Sequence, residues 1–274
     1  MPVSNKPKFM KNHILSVLLV LIAAVSFAQK GFHIGVSGTF STTFIYTQNN
    51  YGTLAPFAIA VVRGSEMNYR LTIGGRAGIV AGYNFNHNWG LQAELQYLST
   101  GQKYEDNFTG PATIPGYTFG AGGGRVNVKR EIRLSYIRVP IMAKFISNGG
   151  HTAKFYGALG PELGIRIGAK EEVKIADHIY LPDNLAFSSS EKFQAVDIGI
   201  ALQLGTEVYV TDHLYLDIGF SSVIGVFDIN GKKLKTLEWY SKNDVKYQKS
   251  FISNVGLVAG IHYIIGKGKG RDYH

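Results

Sequence analysis

The residues able to do chemistry in this 274-residue chain are scattered, and none forms a recognisable catalytic constellation. The run Gly120-Ala121-Gly122-Gly123-Gly124-Arg125 is glycine-rich, but no Lys-Ser/Thr pair follows it, so it does not make a phosphate loop. Gly74-Gly75-Arg76-Ala77-Gly78 matches a dinucleotide fingerprint in glycine content alone and opens no helix. With no cysteine, thiolate metal sites, cysteine nucleophiles and disulfides are excluded together. The eight histidines are dispersed: His33 and His262 point inward by strand parity, while His87 and His213 sit in turns. No metal or cofactor site is predicted. Serine catalysis, as a lipid-modifying enzyme would need, finds Ser222 near a strand end with no outward histidine in its strand.

What remains is a set of charges with a common position. Arg76, Glu94, Arg138, Lys144, Glu162, Glu207 and Asp217 all fall on the same face of their strands. A paired network is expected from them, because an unpaired buried charge costs several kcal/mol.

The elements that would hold this network are period-two segments. Eight occur, near 32–46, 71–85, 89–99, 134–145, 155–169, 196–210, 214–223 and 251–265. Each is about ten residues or longer, which suits a tilted strand crossing a bilayer. Connections 86–88, 146–154 and 211–213 are short, while those around 47–70, 100–133, 170–195 and 224–250 are long. Strict alternation of that kind puts all turns at one rim of an up-and-down barrel and all loops at the other.

Parity separates two faces. Over the central band, one face of the eight segments comprises 44 positions and carries no charge, where the chain's 17% charged content would place about seven. The 36 interleaved positions carry all seven charges named above. Hydrocarbon explains the difference, since Arg or Lys facing lipid costs about 2–4 kcal/mol at the midplane. Outward aromatics gather at the segment ends: Phe32, Tyr83, Phe85, Trp89, Phe145, Phe155 and Tyr263 at the turn rim, and Phe44, Tyr46, Tyr97, Phe220 and Phe251 opposite. They predict two interfacial girdles, the first periplasmic. A lipocalin-like soluble carrier would instead put the charge-free face inside.

The N-terminus predicts export. Lys6, Lys8 and Lys11 precede the apolar run 14–25 and the small residues of Ser26-Phe27-Ala28, the plan of a signal peptide at 1–28 cleaved between Ala28 and Gln29. Removing it lowers the formal charge from +9 to +6, because 1–28 holds no acid. No nucleic-acid partner is expected. The domain plan is therefore a leader 1–28, a barrel 29–265 and a basic, Gly-rich tail 266–274.

Pro140 and Pro161 fall inside strands and are expected to mark bulges or breaks, with a shift of parity beyond any bulge. The lysine-rich stretch 227–250 is open to contact with anionic lipopolysaccharide, and 100–133, with Phe108, Tyr117 and Phe119, to folding over the mouth or meeting a partner.

The strand Ser135-Tyr136-Ile137-Arg138-Val139-Pro140-Ile141-Met142-Ala143-Lys144-Phe145 resembles the PorT-like outer-membrane β-barrel family of Bacteroidetes-type bacteria. Phe155-Tyr156-Gly157-Ala158-Leu159-Gly160-Pro161-Glu162 is similar to that family's next strand, and Asp197-Ile198-Gly199 to the start of its sixth. The resemblance implies an outer-membrane location, eight strands and no established catalytic residues. It also implies a link to protein secretion of the type IX kind for the namesake. The functional expectation is a non-enzymatic structural or interaction module with a plugged polar lumen. It would meet outer-membrane lipid and lipopolysaccharide, and a protein partner through its loops or periplasmic rim. An export accessory and a lipid-modifying enzyme are the alternatives.

Overall fold

The computed structural model describes residues 31–46, 68–109, 124–148, 152–176, 178–180, 189–235 and 247–265. The leader, the Ala28/Gln29 cleavage point and the tail 266–274 lie outside them.

Eight long strands form a closed ring: β1 (Phe32–Tyr46), β3 (Ile73–Asn84), β4 (Trp89–Thr109), β5 (Arg125–Ile146), β6 (Ala153–Ile175), β8 (Val196–Tyr209), β9 (Leu214–Gly225) and β10 (Phe251–Ile265). Each pairs antiparallel with the next, β4 pairs with β5, and β1 closes on β10 from Phe32/Ile265 to Tyr46/Phe251. Two three-residue strands, β2 (Asn68–Arg70) and β7 (His178–Tyr180), add to β4 and β6 outside the ring. This is the expected eight-stranded up-and-down antiparallel barrel. Closure leaves no open edge at membrane level, as hydrocarbon requires.

The pleat places side chains as parity predicts. Of the 44 charge-free positions none is buried, and of the 36 interleaved positions none is exposed. Turns at one rim are tight. Asn86 Oδ1 accepts from the amides of Asn88 (2.9 Å) and Trp89 (2.8 Å), and Thr211 Oγ1 accepts from the amide of Leu214 (3.0 Å).

Two sequence expectations need correction, and a third is narrowed to one of its alternatives. The stretches 100–133 and 170–195 are not simply loops: β4 runs on to Thr109, β5 begins at Arg125 and β6 reaches Ile175. Here the outward residues become charged, and the inward ones mix apolar side chains with buried Gln102, Arg130 and Glu171, so a test for an apolar outer face stops short of the strand ends.

Of the bulge or break expected at each proline, the structure shows the break. Pairing of β4 with β5 stops at Ala93/Ile141 and resumes in the same register at Gln96/Arg138, across Pro140. Pairing of β5 with β6 likewise skips from Pro140/Glu162 to Ala143/Leu159 beside Pro161. The missing N–H locally interrupts a ladder, and parity continues unshifted. Gly160 permits this close approach, because a Cβ there would lie 1.9 Å from the Ile141 carbonyl oxygen. The register shift lies elsewhere, between Ser135/Gly168 and Tyr136/Arg166, leaving Ile167 as an extra residue on β6.

Finally, the interior is not polar throughout. Above the charged level a buried apolar cluster includes Ile45, Leu98, Tyr104, Val128, Ile132, Leu134, Phe193, Ile229 and Ile252. Several of these lie in the stretches read as loops, so their contribution to an interior was not visible.

Candidate functional site

The lumen at membrane level is the densest collection of chemistry-bearing side chains. Arg76, Glu94, Arg138, Lys144, Glu162, Glu207 and Asp217 all point into it, each at most 4% exposed. They come from β3, β4, β5, β6, β8 and β9, and most find partners on other strands.

Toward the turn rim, Lys144 Nζ lies 2.7 Å from Glu207 Oε1 and donates to Gln92 Oε1 at 3.0 Å. It also sits 4.6 Å from the Tyr156 ring centroid, a cation–π contact. Tyr209 donates its hydroxyl to Glu207 Oε2 at 2.7 Å. Asp217 accepts from Tyr156 at 3.1 Å and lies 2.9 Å from His262 Nε2. His262 stacks on Tyr215 (4.6 Å), and His33 meets both rings edge-on. Gly260 leaves the space that Asp217 occupies, since a Cβ there would fall 2.1 Å from Asp217 Oδ1.

One level up, Glu94 is held by neutral donors: Gln92 Nε2 (2.8 Å), Gln203 Nε2 (2.9 Å), Ser37 Oγ (3.2 Å) and Gln96. Beyond it, Glu162 is shared by two guanidinium groups, Arg138 at 2.7 Å and Arg76 at 3.4 Å. Arg76 spans the lumen to Asn254 Oδ1 (2.7 Å) and Ser221 Oγ (3.0 Å). Arg138 also binds Asp197 and lies over the Tyr136 ring at 4.7 Å.

Asp197 is the residue that sequence reasoning missed. It lies one position outside the central band, yet its inward parity and its place in Asp197-Ile198-Gly199 were signals for it. The glutamines, Ser221 and Asn254 were legible only as polar residues on the inward face. Side chains here fill the lumen, as eight strands allow. No group of three or more His, Asp or Glu poised for a metal occurs among the described residues.

The seven aromatics of the turn rim do lie together at that rim. Phe85, Trp89, Phe145, Phe155 and Tyr263 are exposed, with Trp89 and Phe145 in ring contact at 5.2 Å. Phe32 pairs with Tyr83 across β1 and β3, and both are half-buried.

A family model described as "Outer membrane protein beta-barrel domain" matches residues 27–231. The chain belongs to this family of outer-membrane barrels. Solved structures with a similar fold include Neisserial surface protein A, at 15% identity over 86% of this chain and 97% of that one, TM-score 0.40. OprG of Pseudomonas aeruginosa matches at 15% identity over 86% and 96%, TM-score 0.35. Ail, the attachment invasion locus protein of Yersinia pestis, matches at 11% over 85% and 99%, TM-score 0.33. No protein of curated function matches.

In this outer-membrane barrel the described residues at the loop end pack an apolar cluster over the lumen. Phe193 and Ile229 enter the apolar cluster from segments 189–195 and 226–231, which meet through a bridge between Phe193 and Asn230. The short helix α1 (Ser189–Lys192) is tied to β6 twice. Arg166 donates to the Ser190 carbonyl at 2.8 Å, and Lys192 joins Arg130 around buried Glu171. Burial works to raise the Glu171 carboxyl's pKa, but the two cations outweigh it and hold it below the usual range.

Asp228 ties the other segment. It accepts from the Tyr247 hydroxyl (2.6 Å), the amides of Ser250 (3.0 Å) and Asn230 (3.1 Å), and lies 2.9 Å from Lys235 Nζ. Burial again works upward and these donors prevail, so its pKa is lowered. With the folded pKa depressed, the unfolded segment takes up a proton first as pH falls. Asp228's stabilisation is therefore complete above the ordinary aspartate value of about 3.9 and is lost as pH drops below it toward the folded pKa. Hydrogen exchange, corrected for intrinsic rates, is expected to find the Ile229 and Gly231 amides protected at pH 5 and increasingly open below pH 4. In Asp228→Asn, exchange at these amides should lose that pH dependence; a persisting dependence would assign it elsewhere.

Proposed function

We propose that this outer-membrane barrel is a non-enzymatic interaction module: a sealed anchor that carries a rigid sheet extension above the outer leaflet for a partner to meet. The supporting observation is on β4, β5 and β6. Their outward face is apolar as far as Tyr97, Ile137 and Ile167, then becomes charged, while the strands continue for about ten further residues. A lipid-facing wall has no use for Lys103, Lys129, Glu131 and Arg133, whereas a projecting sheet in water does. The charged lumen and its apolar cap oppose conduction, and no cluster in the described residues has the geometry of a nucleophile with its base.

In this reading the loops face outward. The turns, and with them the girdle of Phe32, Tyr83, Phe85, Trp89, Phe145, Phe155 and Tyr263, face the periplasm, reached through the 1–28 leader cleaved between Ala28 and Gln29. The absence of native cysteine makes a clean test possible. Single cysteines at exposed Asn107, near the tip of β4, and exposed Asn86, in a tight turn, should react differently with a membrane-impermeant maleimide on intact cells. Asn107→Cys is expected to label at once and Asn86→Cys only after the outer membrane is permeabilised. The reverse order would reject the orientation.

The PorT-like resemblance of Ser135–Phe145 supports a narrower second reading, an accessory role in a type IX-like export machine. Under it, export components should co-purify with the full chain and be lost when the tip of the extension is shortened.

A further inference from the structure

The base of the extension carries a charge arrangement that neither the fold nor the lumen explains. Ser99, Ser135 and Gly168 form a transition row across β4, β5 and β6, with the Tyr97 hydroxyl donating to Ser135 Oγ at 3.1 Å. The next row outward is Gly101, Arg133 and Lys170, and the one beyond is Lys103, Glu131 and Glu172. Glu131 and Glu172 are direct cross-strand partners, which like-charge repulsion disfavours.

Four cations make that pairing tenable. Glu131 lies 2.7 Å from Arg133 Nη2 and 3.4 Å from Lys103 Nζ. Glu172 lies 3.1 Å from Lys174 Nζ and 3.4 Å from Lys170 Nζ. Each carboxylate is thus held by two cations, and each group of three keeps one surplus positive charge. Neighbouring Glu105 does not cancel it, being engaged by Arg70 at 3.2 Å. The four cationic side chains remain 41–67% exposed, so their heads are available to a ligand. A cleft of about 230 Å³ opens beside Lys103 and Lys174, where Arg70 and Lys129 stand with the carboxylates Glu105, Glu131 and Glu172.

Height above the apolar band selects the ligand. At about 3.4 Å per residue and a tilt near 45°, the Arg133–Lys170 row stands roughly 5 Å above the transition row and the Lys103 row roughly 10 Å. A bilayer's headgroup layer is about 5–8 Å deep on each side. The Arg133–Lys170 row therefore stands where lipid phosphates lie, with Lys103 one row and Lys174 two rows above it, and guanidinium and ammonium groups are suited to phosphate. We infer that Lys103, Arg133, Lys170 and Lys174 form a binding site for a bisphosphorylated glycolipid headgroup of the outer leaflet, one phosphate to each surplus charge. This rests on the outward orientation of the loop end proposed above.

The test uses the full chain refolded in neutral detergent, with native mass spectrometry reading retention of two probes, bisphosphorylated lipid A and phosphatidylglycerol. Wild type is expected to retain lipid A at least tenfold more tightly than phosphatidylglycerol, with binding that weakens as salt rises. The variant K103Q/R133Q/K170Q/K174Q should lose at least tenfold in lipid A affinity, and K103R/R133K/K170R/K174R should keep most of it. Heat-modifiable gel mobility checks that each variant still forms the barrel; should the glutamine variant fail to fold, the single changes Arg133→Gln and Lys170→Gln carry the same comparison. Undiminished lipid A binding in the glutamine variants, or equal affinity for phosphatidylglycerol, overturns the site. Micelle binding does not depend on orientation in cells, so a failed site with correct cysteine labelling rejects this inference alone, and reversed labelling with retained binding rejects the topology alone.

Discussion

Replacing Glu162 with leucine is expected to destabilise the barrel by about 3–5 kcal/mol, the cost of breaking a buried ion pair from one side. The carboxylate is shared by Arg138 at 2.7 Å and Arg76 at 3.4 Å, and neither guanidinium has solvent to turn to. Arg138 would keep Asp197, and Arg76 would keep Asn254 and Ser221, so part of the charge stays satisfied. What is lost is the one group that neutralises both cations at once. Reversible urea unfolding in lipid vesicles measures the change. If Glu162→Leu unfolds within about 1 kcal/mol of wild type, as an uncoupled surface position would, the shared pairing contributes little and the lumen is held by packing.

The second large effect is expected on the opposite face. Ile141→Arg places a charge on the outward side of β5 within the apolar band, where lipid exposure should cost about 2–4 kcal/mol. Ser135→Arg, on the same strand and the same face six residues away, should cost about 0–1 kcal/mol, because the interface tolerates charge. Arg133 already occupies the next outward position. The contrast between the two variants locates the membrane boundary without any label. Equal costs at positions 135 and 141 would mean that the change of outer-face chemistry is not the edge of the hydrocarbon.

Both predictions rest on features of different legibility. The alternation that puts Ile141 outward and Arg138 inward is local: a strand's pleat sends neighbouring side chains to opposite sides whatever lies beyond. That is why the limits of β1 and β10, read at 32–46 and 251–265, coincide with the strands observed. It failed for β4, β5 and β6 past Ser99, Leu134 and Ala169, because there the solvent outside changes from lipid to water. In Arg125–Arg133 an inward set of Val126, Val128, Arg130 and Ile132, apolar but for Arg130, alternates with an outward set of Arg125, Asn127, Lys129, Glu131 and Arg133. That is an ordinary half-buried strand pattern, but one with the opposite outer chemistry to the band below it.

The number of long strands, the side of each that faces lipid, and the alternation of short and long connections were all legible in the chain's residue pattern. Each follows from the two-residue repeat and from the cost of charge in hydrocarbon, and neither depends on distant parts of the chain. Which charge meets which, the entry of Asp197 into the network, and the apolar cluster above the polar lumen emerge only once the ring closes. Arg76 reaches Asn254 across 178 residues of chain, and Gln203 reaches Glu94 across 109. Such partners are set by closure and stagger of the ring, which bring together levels of strands that no local repeat can align.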